Sequence, residues 1–393
     1  MTRLLGLILL SAALSMTPLC ARAGLVLNPP LSTTMPSDPQ GAMEEARGKV
    51  AAGNLDAAIS ILVRYVAAHP DEVAPARLLG DLYYRRGDLK RAESTYDAIL
   101  AKLPRDRETH NRLGSVYATE NRIDDAIDEF NHSLPGTDAV PDLVRLHEIR
   151  GDLGAYMNDK IRIALEYPTD PEANVELGKV YASVHRPDLA VIYFKKALDN
   201  APDSEMAING LGLAFLDERQ YPIAVDYFKR CRKMDSYGYT CTVNLGATYL
   251  EMGDLKNAEE MLAIAHNAQP EQPEALVNFG YLADARGDWK KAVSFYVDAL
   301  AVYPYSIDAY TDLGYEYEQH KLYTLAESVL AKGLAVSPKD GRLHYLLGQV
   351  FSDQGKTQLA IAQFKAATET DDPDVKRIAQ AKFDALEDGS KTP

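Results

Sequence analysis

Asn244, Asn278 and Asp312 stand 34 residues apart, and so do Tyr281 and Tyr315. An amide side chain donates and accepts at once, while a carboxylate accepts. Such a row is suited to hydrogen-bonding an extended polymer rather than to breaking bonds. The groups that usually make and break bonds are scattered. The histidines are His69, His110, His132, His147, His185, His266, His320 and His344, and no two lie within four residues. There is no H-E-x-x-H, no C-x-x-C, no carboxylate cluster of metal type and no G-x-S-x-G. Gly348 to Thr357 ends in Gly355-Lys356-Thr357 like a phosphate loop. Its gap after the first glycine is six residues, where such a loop has four, and no strand precedes it. Each histidine therefore reads as a surface or loop residue. Asn131-His132-Ser133 matches a glycosylation sequon, which matters only in a eukaryotic secretory pathway. The sequence predicts no enzyme, no metal and no cofactor.

The same spacing runs through nearly the whole chain. Gly80, Gly114, Gly178, Gly212, Gly246, Gly280, Gly314 and Gly348 are in phase at 34 residues, apart from one repeat shortened to 30. Twelve residues further on stand Ala58, Ala92, Ala126, Ala190, Ala224, Ala258, Ala292, Ala326 and Ala360. With the glycine as position 8, ten repeats begin at Pro39, Val73, Arg107, Thr137, Pro171, Glu205, Tyr239, Pro273, Ile307 and Gly341. Small residues at positions 8 and 20 let two antiparallel helices approach closely. Large residues at positions 11 and 24, such as Tyr181 and Phe194, fill the space between successive repeats. Proline at position 32, as in Pro104, Pro202 and Pro304, stops the second helix. Gly87, Gly151, Gly253, Gly287 and Gly355 fall in the turn between helices, where a left-handed conformation is often needed.

On these residues the chain resembles the tetratricopeptide repeat family. The resemblance rests on Leu79-Gly80, Tyr83, Ala92, Tyr96 and Pro104, on Leu177-Gly178, Tyr181, Ala190, Phe194 and Pro202, and on Leu245-Gly246, Tyr249, Ala258 and Pro270. It implies an all-α, right-handed superhelical α-solenoid of about ten helix–turn–helix repeats over residues 39–372. A capping helix and tail over 373–393 close it. Repeat 4 is degenerate, with Val144 at the glycine position and Tyr156 at the alanine position. Pro135-Gly136 breaks the preceding helix, which leaves either a diverged repeat that still stacks or a bend dividing the solenoid.

Cys231 falls late in the second helix of repeat 6, and Cys241 early in the first helix of repeat 7. A short turn brings those ends together. The sequence thus predicts a Cys231–Cys241 disulfide, with a small buried Cys231 as the alternative.

The inner face of the solenoid is where partners of this family usually lie. The resemblance places Asn244, Asn278 and Asp312 there, at position 6 of repeats 7 to 9. They resemble the asparagine ladder by which some tetratricopeptide grooves hold a peptide backbone. Tyr281, Tyr315 and Tyr345 stand nearby, with Asp284 and Glu318 among the surrounding acids. These side chains are expected to point into the lumen and to satisfy no core group. An aromatic and acidic groove suits a partner segment carrying Lys or Arg.

Residues 1–23 read as a secretory signal, with Arg3, an apolar run from Leu4 to Met16 and cleavage after Ala23. A lipoprotein reading through Cys20 fits less well, because Thr17-Pro18-Leu19 lacks the small residues of such a site. Residues 24–38, rich in proline, serine and threonine, read as a flexible linker. The formal charge of −15 becomes more negative once Arg3 and Arg22 leave with the signal, and it disfavours nucleic acid and anionic lipid. The apolar run is too short to span a bilayer. The expectation is an exported, periplasmic, non-enzymatic scaffold for protein partners in assembly of a pilus, secretion or polysaccharide-export machine. The alternative is a carbohydrate-binding subunit of polysaccharide export. The sequence does not specify an oligomeric state.

Overall fold

The computed structural model describes residues 38–390 other than 53, 136, 235–237, 271 and 371. The secretory signal and all but the last residue of the linker lie outside the described residues. Among the described residues there are twenty-one helices and no strand. The helix pairs of repeats 1 to 3 are α1 (Pro39–Ala51) with α2 (Leu55–Ala68), α3 (Val73–Arg85) with α4 (Leu89–Leu100), and α5 (Arg107–Thr119) with α6 (Ile123–Ser133). Repeats 4 to 6 are α7 (Val140–Arg150) with α8 (Leu153–Glu166), α9 (Pro171–Ser183) with α10 (Pro187–Asn200), and α11 (Glu205–Asp217) with α12 (Tyr221–Cys231). Repeats 7 and 8 are α13 (Gly238–Glu251) with α14 (Leu255–Ala268) and α15 (Glu274–Ala285) with α16 (Trp289–Val302). Repeats 9 and 10 are α17 (Ile307–Gln319) with α18 (Tyr323–Val336) and α19 (Gly341–Asp353) with α20 (Thr357–Ala367). The last helix, α21 (Pro373–Ser390), packs on α20 and α19.

Local chemistry starts and stops each helix. Asp106, Ser204, Ser306 and Asp340 precede first helices and accept a first-turn N–H with their side chains. Each such cap is worth about 1 kcal/mol. In the turn within a pair, Gly87, Gly151, Gly253, Gly287 and Gly355 have φ between 72° and 85°. Where the repeat has no glycine there, Asn121, His185, Arg219 and Lys321 take the same left-handed conformation at φ of 57–59°.

The glycine of position 8 has a more specific job than close helix approach. A Cβ on Gly178 would lie 2.8 Å from the Phe194 ring, and one on Gly114 would lie 2.8 Å from Phe130. The missing side chain is therefore a socket for residue 24 of the same repeat. Aromatic rings fill it in most repeats, and Leu262 and Leu330 do so in repeats 7 and 9. The position-20 alanines are fully buried beside it.

Repeat 4 has neither small residue, yet it stacks. One apolar cluster runs from Ala126 and Phe130 through Leu143, Val144 and Tyr156 to Leu177 and Val180. Tyr156 lies flat on His147, with ring centroids 4.3 Å apart. That corrects the reading of His147 as a surface residue: it is buried, and its Nδ1 sits 2.9 Å from Asp152 Oδ1. The sequon lies inside α6, where Asn131 is exposed but Ser133 is buried with its hydroxyl donating to Phe130 O.

Candidate functional site

The position-6 side chains do not stand open in a lumen. Asn244 and Asn278 are 0% exposed, Asp312 3%, and Tyr281 and Glu318 8% each. The expectation that they satisfy no core group is corrected by their partners. Asn244 Nδ2 donates to Asn209 Oδ1 at 3.2 Å, tying repeat 7 to repeat 6. Asn278 Nδ2 donates back to Glu274 O at 2.9 Å within α15. Tyr281 donates its hydroxyl to Asp312 Oδ2 at 2.7 Å, tying repeat 8 to repeat 9.

The last rung has a counterpart near the other end of the stack. Arg112, at position 6 of repeat 3, donates Nε–H to Asp81 Oδ1 at 2.7 Å. Asp81 is at position 9 of repeat 2, so both rungs join residues 31 apart. Glu176, at position 6 of repeat 5, instead accepts from Lys160 Nζ at 2.7 Å. In four repeats the position-6 residue thus bonds neighbouring repeats together. Polar residues at positions 9 and 6 of consecutive repeats, 31 apart, are the sequence signal that finds these rungs.

The junction of repeats 8 and 9 is electrostatically unusual. Burial pushes the Asp312 carboxyl well above the usual carboxylate range, and the Tyr281 hydrogen bond only partly opposes it. Burial likewise raises Glu274, and it raises Glu318, with Asp353 adding to the effect. Asp142, the position-6 residue of repeat 4, is buried beside Arg145 and is pushed up to about 7. These acids resist ionising where they sit.

The remaining groove residues are more accessible. Tyr315, Tyr345 and Asp284 are half-buried, and Asp353 is exposed. Tyr345 leans on the Phe364 ring at 5.7 Å between centroids. Two atoms of the row have no hydrogen-bond partner: Asn244 Oδ1 and Asn278 Oδ1 are both buried carbonyl oxygens without a donor. Among the described residues no group of three or more His, Cys, Asp or Glu could hold a metal ion, and no helix is long and apolar enough to cross a membrane.

Cys231 and Cys241 are both fully buried and their Cα atoms lie 5.9 Å apart, within the span of a disulfide.

Family models described as tetratricopeptide repeat match residues 49–113 and residues 175–239, 243–307 and 311–375. The chain belongs to the tetratricopeptide repeat family. It is similar to Tetratricopeptide repeat protein 8 of Caenorhabditis elegans, at 24% identity over 56% of this chain and 44% of that protein. It is also similar to the BBSome complex member BBS4 homolog of Drosophila melanogaster, at 21% identity over 69% of this chain and 53% of that protein. This tetratricopeptide repeat chain therefore spans about half the length of these curated relatives. Among solved structures, yeast Tom70 aligns over 90% of this chain and 96% of that one, at 13% identity and a TM-score of 0.49. The Cut9–Hcn1 hetero-tetramer of the anaphase-promoting complex aligns over 89% and 90%, at 15% identity and a TM-score of 0.46. The fold is a repeat scaffold suited to protein–protein interaction.

Proposed function

We propose that this chain is an exported scaffold that holds an extended, basic segment of a protein partner along the inner face of repeats 7 to 10. The observation that carries the reading is the accessible aromatic and acidic set of Asp284, Tyr315, Tyr345 and Asp353 on the first helices of repeats 8 to 10. The rim adds a charge preference, because Asp284 on α15 and Asp353 on α19, the helix of Tyr345, are not deeply buried. Charge on a rim steers association and selects partners more than it adds affinity. Tyr281 contributes no open aromatic face, since its hydroxyl is engaged with Asp312 and its ring is packed edge-on to Tyr296.

The secretory signal in residues 1–23 supports export. In that compartment the Cys231–Cys241 pair would be oxidised. The setting we favour is assembly of a cell-envelope machine such as a pilus, a secretion system or a polysaccharide exporter. It rests on analogy with other exported repeat proteins rather than on a residue.

A peptide library tests the binding reading. Extended peptides with Lys or Arg at alternate positions should bind the purified chain, and should bind less tightly as salt rises. Equal binding of the matching Glu peptides would remove the basis for it.

A further inference from the structure

The C-terminal residue of α3, in repeat 2, touches residues of repeats 7 and 8. Arg85 donates from Nη2 to Gln272 Oε1 at 3.2 Å, across 187 residues of sequence. Its guanidinium carbon also lies 5.6 Å from the centroid of the Tyr303 ring. Glu274, the first residue of α15, is near enough to feel the Arg85 charge, and Tyr303 lies near enough to interact with the Tyr84 phenol. One buried apolar cluster holds residues of repeats 1 to 3 together with residues of repeats 8 and 9. These contacts cannot come from stacking, because a repeat in a solenoid touches only its neighbours. They arise where one turn of the superhelix meets the next.

We propose that Arg85, Gln272 and Tyr303 form a latch between successive turns of the superhelix, which fixes its pitch and must open for the solenoid to lengthen. A single guanidinium supplies both contacts. It is planar, always charged, and suited to a hydrogen bond at its edge with a ring against its face. The latch is small against the packing within each repeat, so it can open without unfolding any helix pair. Opening would spread small rotations over many junctions. The apolar cluster shared by repeats 1 to 3 and repeats 8 and 9 supports the same contact from beneath. The inference does not rest on the peptide reading, since it concerns the chain alone.

Small-angle scattering of the purified chain tests it. Arg85→Ala should raise the radius of gyration by about a tenth, because small changes of rotation at each repeat sum along the stack. Its helical circular dichroism should be unchanged. Arg86→Ala is the control, since Arg86 pairs only locally, with Asp56 at 3.2 Å and Asp88 at 3.0 Å. It should leave the radius of gyration as in the parent. A radius unchanged by Arg85→Ala, or raised equally by Arg86→Ala, would overturn the latch. Should Arg85→Ala fail to fold, a chain carrying Arg85→Cys and Gln272→Cys decides. A short bifunctional thiol crosslinker should join those two positions within one molecule, and absence of the link would overturn the proposal.

Discussion

Tyr281→Phe removes one hydroxyl and leaves the ring in place. That hydroxyl donates to Asp312 at 2.7 Å inside the junction of repeats 8 and 9. Asp312 also faces Asp308, Arg342 and Glu316, and burial raises its carboxyl well above the ordinary carboxylate pKa. The lost bond is therefore worth different amounts at different pH. To a protonated Asp312 it is a neutral hydrogen bond, worth about 0.5–1.5 kcal/mol, and to the ionised form about 1.5–3 kcal/mol. The sign follows from linkage. The folded pKa lies above the unfolded one, so the unfolded state releases its proton first as pH rises. Stability then falls from the ordinary carboxylate pKa up to the folded pKa. Without the Tyr281 donor the folded pKa climbs further, and the fall continues to higher pH. Thermal denaturation of both proteins at pH 5 and pH 8 reads this directly. The variant should lose about 1 kcal/mol more at pH 8 than at pH 5, or roughly 2–4 °C more for a domain-sized cooperative unit. Equal losses at the two pH values would refute the idea that this rung carries a buried titrating acid.

Three other outcomes are expected. Gly178→Ala should destabilise by about 1–3 kcal/mol in denaturant titration, because its Cβ would meet the Phe194 ring at 2.8 Å. A gain in stability from Ala's better helix propensity would contradict the socket. Asp142→Asn should flatten the loss of thermal stability between pH 4.5 and 7.5. The folded pKa of about 7 makes the parent lose up to about 4 kcal/mol as pH rises through that window. An identical slope in the variant would show that Asp142 does not titrate there. Non-reducing peptide mapping of exported material should find Cys231 joined to Cys241 within one chain, closing a loop whose entropy is worth about 2–3 kcal/mol. Free thiols on folded, exported protein would exclude the bond.

The period was legible because one steric requirement recurs. Residue 24 needs a socket, so position 8 must lack a side chain, and any sequence meeting that need in most repeats betrays itself. Asp106, Ser204 and Asp340 cap the helices they precede, a local signal that the period alone does not single out. The chemistry of that site was only half legible. Register placed Asn244, Asn278, Asp312 and Tyr281 on the inner face, but register does not say what the next repeat lays over them. Their burial depends on partners such as Asn209, which sits at position 5 rather than 6 and broke the apparent row. The turn conformation at Asn121, His185, Arg219 and Lys321 was hidden because only glycine advertises it. A non-glycine residue there costs about 1–2 kcal/mol and is held by the flanking helices. Arg85 was invisible as a latch, since superhelical pitch is a sum over many junctions and is written in no single repeat.

The central claim is that a protein segment lies along the inner face of repeats 7 to 10. Photocrosslinking in cells, from a reactive residue at position 315, tests it most directly, with position 192 on the outer face of α10 as the comparison. Tyr315 is half-buried on the inner face, and Ile192 is 48% exposed. Position 315 should join to one protein, through a continuous stretch that contains Lys or Arg, and position 192 should not. A glycan attached at 315, or the same protein captured only from 192, would contradict the account.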